Sequence, residues 1–185
     1  AIVIPILFLG LVGVSLHLVA ARNKPDILAR YVFQRFAYLG IASLVVSAVT
    51  AVVIPSLTVY FGILHVITVS TVVVGWLLIQ EVRSGMVLGL AAITFGVGLV
   101  FGQVTSEAWV GIPFGLEPIA FATLDYFPIF PWISPVLTGV LLGRVLYPHG
   151  KSPQPNPLGA LSSWGLWQPL RWIGQNSLLI YFLHV

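Results

Sequence analysis

The chain has 185 residues, 58% hydrophobic and 7% charged, with a mean hydropathy of +1.04 that soluble domains do not carry. It has no cysteine, which removes the disulfide-stapled secreted modules, and its composition also excludes a collagen-like rod or a disordered tail. The net charge of +3 rests on eight basic residues scattered along the chain, too dispersed for a nucleic-acid patch.

What remains is an all-α integral membrane protein. A spanning helix takes roughly 20 apolar residues, so residues 1–185 read as a single transmembrane domain of about six spans, with no room for a sizeable soluble one. The runs are uniformly apolar rather than alternating, which favours helices over barrel strands. In chain order, the first span covers 1–21. The charge-free run from Phe36 to Gln80 is too long for one crossing, and Ile54-Pro55-Ser56 divides it into a second span at about 31–54 and a third at about 57–79. A fourth is expected at about 85–103, a fifth at about 132–147 and a sixth from about 172 to the end.

Positive charge resists translocation, so the basic residues orient the chain. Arg22, Lys24, Arg30 and Arg35 flank the first connection, Arg83 the third, and Arg144, Lys151 and Arg171 the fifth. All lie on one side, which this rule places in the cytoplasm. The opposite connections carry only Glu107, Glu117 and Asp125, so the 104–127 loop is expected on the outer face of a cell membrane. The first span then starts outside. Since Ala1 opens directly within an apolar run, a preceding segment is expected. The sixth span has 14 residues, about 21 Å of helix against a core of about 30 Å, so the chain reads as truncated at both ends.

Ionisable groups at apolar depth are the functional candidates, because burying them is expensive. His65 falls about 13 Å below the outer end of the third span, and His184 falls about 12 Å below the outer surface on the sixth. Two readings stand: both open into one outward cavity that handles protons, or each is a neutral ring satisfied by a neighbouring carbonyl. His17 and His149 read as interfacial. The 104–131 stretch is long yet aromatic and apolar, which suggests a re-entrant or cavity-lining loop carrying Asp125 and Tyr126 into a cavity wall. The alternative is an aromatic belt with Asp125 in water. Glycine pairs Gly85/Gly89, Gly98/Gly102 and Gly139/Gly143 are expected to mark close helix contacts. No Walker loop, dinucleotide fingerprint, HExxH metal motif or nucleophile elbow occurs, so no metal site is assigned.

Phe61-Gly62-Ile63-Leu64-His65, then Asp125-Tyr126-Phe127-Pro128-x-x-Pro131-Trp132 ahead of Gly139 to Arg144, then Asn176-Ser177-Leu178-Leu179-Ile180-Tyr181-x-x-His184 form an ordered series. Together with Phe8-Leu9-x-x-Val12-Gly13-Val14-Ser15-Leu16, they resemble the heparan-alpha-glucosaminide N-acetyltransferase catalytic-domain-like family of bacterial multi-pass membrane proteins. The resemblance implies a bacterial inner-membrane acyltransferase that passes an acetyl group from acetyl-CoA to an amino sugar or other glycan acceptor. It implies catalytic roles for His65, Asp125 and His184, with Tyr126 and Asn176 against the acetyl-CoA. It also implies a preceding helix with an Asp/Arg-Gly motif and an outward histidine that is a stronger candidate base, and these 185 residues do not include that helix.

Two other classes stay open on the sequence. One is a non-catalytic subunit of a respiratory or photosynthetic membrane complex, packed through its glycine-rich helices or as a homo-oligomer. The other is a transporter of a small acylated or sugar compound. The expected partners are therefore membrane lipid and a glycan or small-molecule acceptor, and not nucleic acid. The topology has a direct test: a cysteine introduced at Ser106 is expected to label from the outer face, and labelling from the cytoplasmic side alone would overturn the orientation.

Overall fold

The computed structural model describes residues 2–150 other than 107 and 120. The sixth span, with Asn176 and His184, lies outside the described residues, as do Glu107, Lys151, Arg171 and the side chain of His149. The described chain is all helical in its regular structure, with α1 Val3–Arg22, α2 Pro25–Val53, α3 Ile63–Ile79, α4 Ser84–Phe101 and α5 Ile129–Leu146. Short 3-10 turns occupy Pro55–Leu57, Trp109–Phe114 and Pro148–Gly150. Helices α1, α2, α4 and α5 are long and apolar enough to cross a membrane, while α3 is a shorter apolar helix.

Two expected boundaries move, each for a physical reason. Helix α2 starts at Pro25 rather than at about 31, because Pro25 at the first helical position and Asp26 in the first turn form a helix start. At 29 residues it is about 43 Å long, so its basic first third, with Arg30 and Arg35, extends beyond a hydrocarbon core of about 30 Å. Helix α3 starts at Ile63 rather than at about 57. The third span is composite, since the chain leaves the 3-10 turn at Leu57 and runs non-helically to Gly62 before α3 begins.

Packing does not follow sequence order. Only Asn23 and Lys24 join α1 to α2, yet α1 lies chiefly against α5, α4 also packs on α5, and α2 pairs with α3. Glycine explains the α1–α5 seam: a Cβ on Gly13 would collide with the Val136 carbonyl, and one on Gly139 with the Gly10 carbonyl. In lipid, close backbone approach and dispersion substitute for a hydrophobic driving force between helices. Leu9 and Leu16 from α1 and Val136, Leu137 and Val140 from α5 fill the rest of the seam and are buried. Gly143 receives the ring of His17, whose Nε2 lies 3.3 Å from the Tyr147 carbonyl. His17 is thus packed against α5 near the helix end.

Gly98 sits against Pro131 at the α4–α5 contact. Gly85 and Gly89 meet no described atom within 4 Å, so that pair marks no helix contact among the described residues. Gly102 closes the end of α4 and likewise meets only its own helix, at Gly98. The outward rows of α2 and α4, including Leu44, Val52, Leu88, Ile93 and Leu99, are exposed large apolar side chains, as lipid contact requires.

The described basic residues gather at one end. Arg22 Nε donates to the Gly150 carbonyl at 3.0 Å, and Arg144 donates through Nη1 to Ser84 Oγ at 2.9 Å and through Nη2 to the Val82 carbonyl at 2.8 Å. The α1–α2, α3–α4 and post-α5 connections therefore share that end, and α3, about 26 Å long, separates it from the end carrying residues 47–63 and 102–128.

The glycine seam yields a contrast. Gly13→Ala and Gly139→Ala are expected to lower stability by about 1–3 kcal/mol through overpacking, whereas Gly89→Ala is expected to be neutral or to stabilise by up to about 1 kcal/mol through helix propensity. Thermal unfolding of the purified protein in detergent measures both.

Candidate functional site

The polar centre of the described chain is the start of α3. Pro55 ends α2, and the extended backbone that follows needs partners, since unpaired peptide groups at a membrane edge are costly. Helix α2 supplies two of them. Ser47 Oγ donates to the Val59 carbonyl at 2.7 Å, and the Val59 N–H donates to Thr50 Oγ1 at 3.1 Å.

The outer loop supplies the others. Leu124 N–H donates to the Leu57 carbonyl at 3.1 Å and Phe127 N–H to the Phe61 carbonyl at 3.0 Å, placing 124–127 alongside 57–61 in parallel, with Phe61 opposite Tyr126. The described part of the 104–127 loop is thus folded back onto the chain. Gly115, with φ of 103°, turns it after Trp109–Phe114, and Tyr126 Oη donates to the Ile112 carbonyl at 2.8 Å. Tyr60 and Trp109 lie 5.1 Å apart between ring centroids, and Phe121 and Tyr126 lie 5.0 Å apart.

This pairing delivers Asp125 to the N-terminus of α3. Its Oδ2 accepts the Ile63 N–H at 2.9 Å, so a carboxylate from a distant segment caps the positive end of the helix dipole. Glycine at 62 leaves room for this carboxylate, because a Cβ there would meet Asp125 Oδ2 and displace it from the Ile63 N–H. His65, in the first turn, reaches back so that Nδ1 accepts the Gly62 N–H at 3.2 Å. Its Nε2 lies 3.4 Å from Ser47 Oγ, and the Phe61 ring covers it at 5.2 Å between centroids.

Of the residues expected in the site, His65, Asp125 and Tyr126 come together here. Asp125 does not hydrogen-bond the His65 ring among the described residues: the two cap adjacent N–H groups of one helix end. His184 and Asn176 lie outside the described residues. Ser47 and Thr50 escaped the sequence reading, although two hydroxyls three positions apart in the last turns of an apolar helix were a usable signal.

In the loop, burial pushes the Asp125 carboxyl above the usual carboxylate range, partly offset by the Ile63 N–H. Burial, followed by the charge of Glu117, pushes the Tyr126 phenol up as well, so it remains a neutral donor. The chemistry assembled at the helix start is an imidazole and a partly buried acid, on the end away from the described cations, with the Tyr126 phenol bonded nearby in the loop at the Ile112 carbonyl.

These features define a polytopic helical membrane protein with a polar cluster at one end of its bundle. The family model described as heparan-alpha-glucosaminide N-acetyltransferase, catalytic, matches residues 1–185, and the chain belongs to that family. No curated protein and no solved structure matches it.

The capping geometry separates charge from shape at Asp125. Asp125→Ala leaves the Ile63 N–H without its acceptor and is expected to cost about 1 kcal/mol, while Asp125→Asn keeps an acceptor oxygen. Because the folded chain raises this pKa, stability linked to the group is lost as pH rises through the folded value. Asp125→Asn is therefore expected to melt at or above the wild-type temperature at pH 7, the two converging on acidification. Detergent melting curves across pH check this.

Proposed function

We propose that the protein is a membrane acetyltransferase that moves an acetyl group from acetyl-CoA to an amino sugar or other glycan acceptor. The observation that carries this reading is the family match over the whole chain, together with the family-like segments around His65 and Asp125 meeting at one helix start. In the reaction the acceptor nitrogen or oxygen attacks the thioester carbonyl carbon. A C–N or C–O bond forms as the C–S bond breaks, and an imidazole takes the acceptor proton and passes it to the departing thiolate.

His65 is assigned this role among the described residues, and His184 on the sixth span is the second candidate. To act as base, His65 Nδ1 exchanges the Gly62 N–H for the acceptor proton, while Asp125 keeps the neighbouring Ile63 N–H satisfied and the helix end in place. Acetyl-CoA supplies the activated acyl group and carries phosphates that require cations. Lys24, Arg30 and Arg83, exposed toward the basic end, fit that demand, whereas Tyr126 beside Glu117 and Asp125 does not. Tyr126 is accordingly assigned to the acetyl end, and so is Asn176. The basic end is assigned to the cytoplasm of a bacterial inner membrane and the 104–127 loop to the outer face.

The test is acetyl-CoA turnover by the native full-length protein in detergent or vesicles with hexosamine and oligosaccharide acceptors. Acceptor-dependent thiol release is expected, falling about a hundredfold or more in His65→Ala and about tenfold in Asp125→Ala, which loses the Ile63 cap, with Asp125→Asn close to wild type. No turnover with any acceptor would shift the reading to a non-catalytic membrane subunit.

A further inference from the structure

We infer that Ser47 is a positioning residue that, together with the Gly62 N–H, holds the His65 proton on Nε2, and that it is the remaining hold among the described residues once Nδ1 leaves that N–H to act. The inference rests on the preceding reading only for its kinetic consequence. The Gly62 backbone N–H can only donate, so Nδ1, 3.2 Å away, is the acceptor and the neutral ring bears its proton on Nε2. That proton has one partner among the described residues, Ser47 Oγ at 3.4 Å. The hydroxyl could in principle donate to the ring instead, but its own proton is committed to the Val59 carbonyl at 2.7 Å, a much shorter bond. Only lone pairs are left to face the imidazole, so the chain runs in one direction, from Nε2–H to Oγ–H to the Val59 carbonyl.

The neighbourhood makes this arrangement stiff. Thr50, one turn further along α2, accepts the Val59 N–H, so the carbonyl that anchors Ser47 is held at both of its residue's peptide groups. Phe61 covers the ring at 5.2 Å, limiting rotation out of the chain. The consequence is that the lone pair is fixed on Nδ1, the nitrogen turned toward the helix start where Asp125 and the 124–127 segment arrive. Ser47 and the Gly62 N–H thereby select the basic nitrogen of the proposed site together, Ser47 without touching substrate.

The test uses the full-length protein with 15N-labelled histidine in lipid nanodiscs, the His65 nitrogens being assigned by difference with His65→Gln. The wild type is expected to show a single neutral tautomer protonated at Nε2. Ser47→Ala is expected to populate both tautomers and to lower kcat about tenfold at unchanged KM for acetyl-CoA, and Ser47→Thr, which retains the hydroxyl, to restore both. Thr50→Val removes the backing of Val59 but not the ring's partner, and is expected to keep the single tautomer. Three results overturn the inference: a wild-type ring protonated at Nδ1, an Nε2 tautomer undisturbed in Ser47→Ala, or a Thr50→Val variant that scrambles the tautomer as fully as Ser47→Ala. A tautomer change in Ser47→Ala with unimpaired turnover supports the positioning role and removes His65 as the base, so failure of the functional reading is distinguishable from failure of this one.

Discussion

Hydrocarbon offers no hydrogen bonds, so any break in a spanning helix must find partners inside the protein. The break between α2 and α3 is where this chain meets that demand, and the rest of the polar architecture follows from it. From Leu57 to Ile63, backbone groups are taken up by Ser47 and Thr50 of α2, by Leu124, Asp125 and Phe127 of the outer loop, and by His65 of α3 itself. Satisfying the gap draws three separate parts of the sequence together, and the groups that do so are the chemically versatile ones. The candidate site and the repair of the backbone are the same structure.

A second constraint acts on the apolar side. Between helices in lipid the available attraction is close contact, and the α1–α5 seam achieves it by removing side chains at Gly13 and Gly139 so that backbone meets backbone. This seam fixes α5, and α4 packs on α5 through Gly98 and Pro131. The chain entering α5 is the chain leaving the outer loop, so the position of Asp125 at the α3 start depends on a seam that lies elsewhere in the bundle.

Charge is sorted along the bundle. The arginines at one end spend hydrogen bonds on the carbonyls of Val82 and Gly150, tying loops at that end, while the opposite end holds Asp125 and Glu117 within an aromatic loop. A phosphate-bearing acyl donor and an acid-rich acceptor end suit such a polarity, and the proposed acyl transfer uses it.

Several properties were legible in the linear chain because they are sums or strings. Hydropathy identified an all-α membrane protein and located the spans among the described residues, the distribution of lysine and arginine identified one basic end there, and three ordered segments identified the family. What the chain alone did not decide were the properties that depend on which segments lie side by side. Charge-free runs report where lipid begins, so they missed that α2 continues through its basic turns to Pro25. Apolar character reports burial but not backbone conformation, so Thr58 to Gly62 read as helix although lateral partners hold it extended. Glycine spacing gave three equivalent pairs, and only packing distinguished Gly139 and Gly143, which face another helix, from Gly85 and Gly89. Asp125 and His65 could be named from their segments, yet their partners, Ile63 and Ser47, came from tertiary structure. A hydrogen bond depends on distance and direction between groups far apart in sequence, and neither is carried by the residues one at a time.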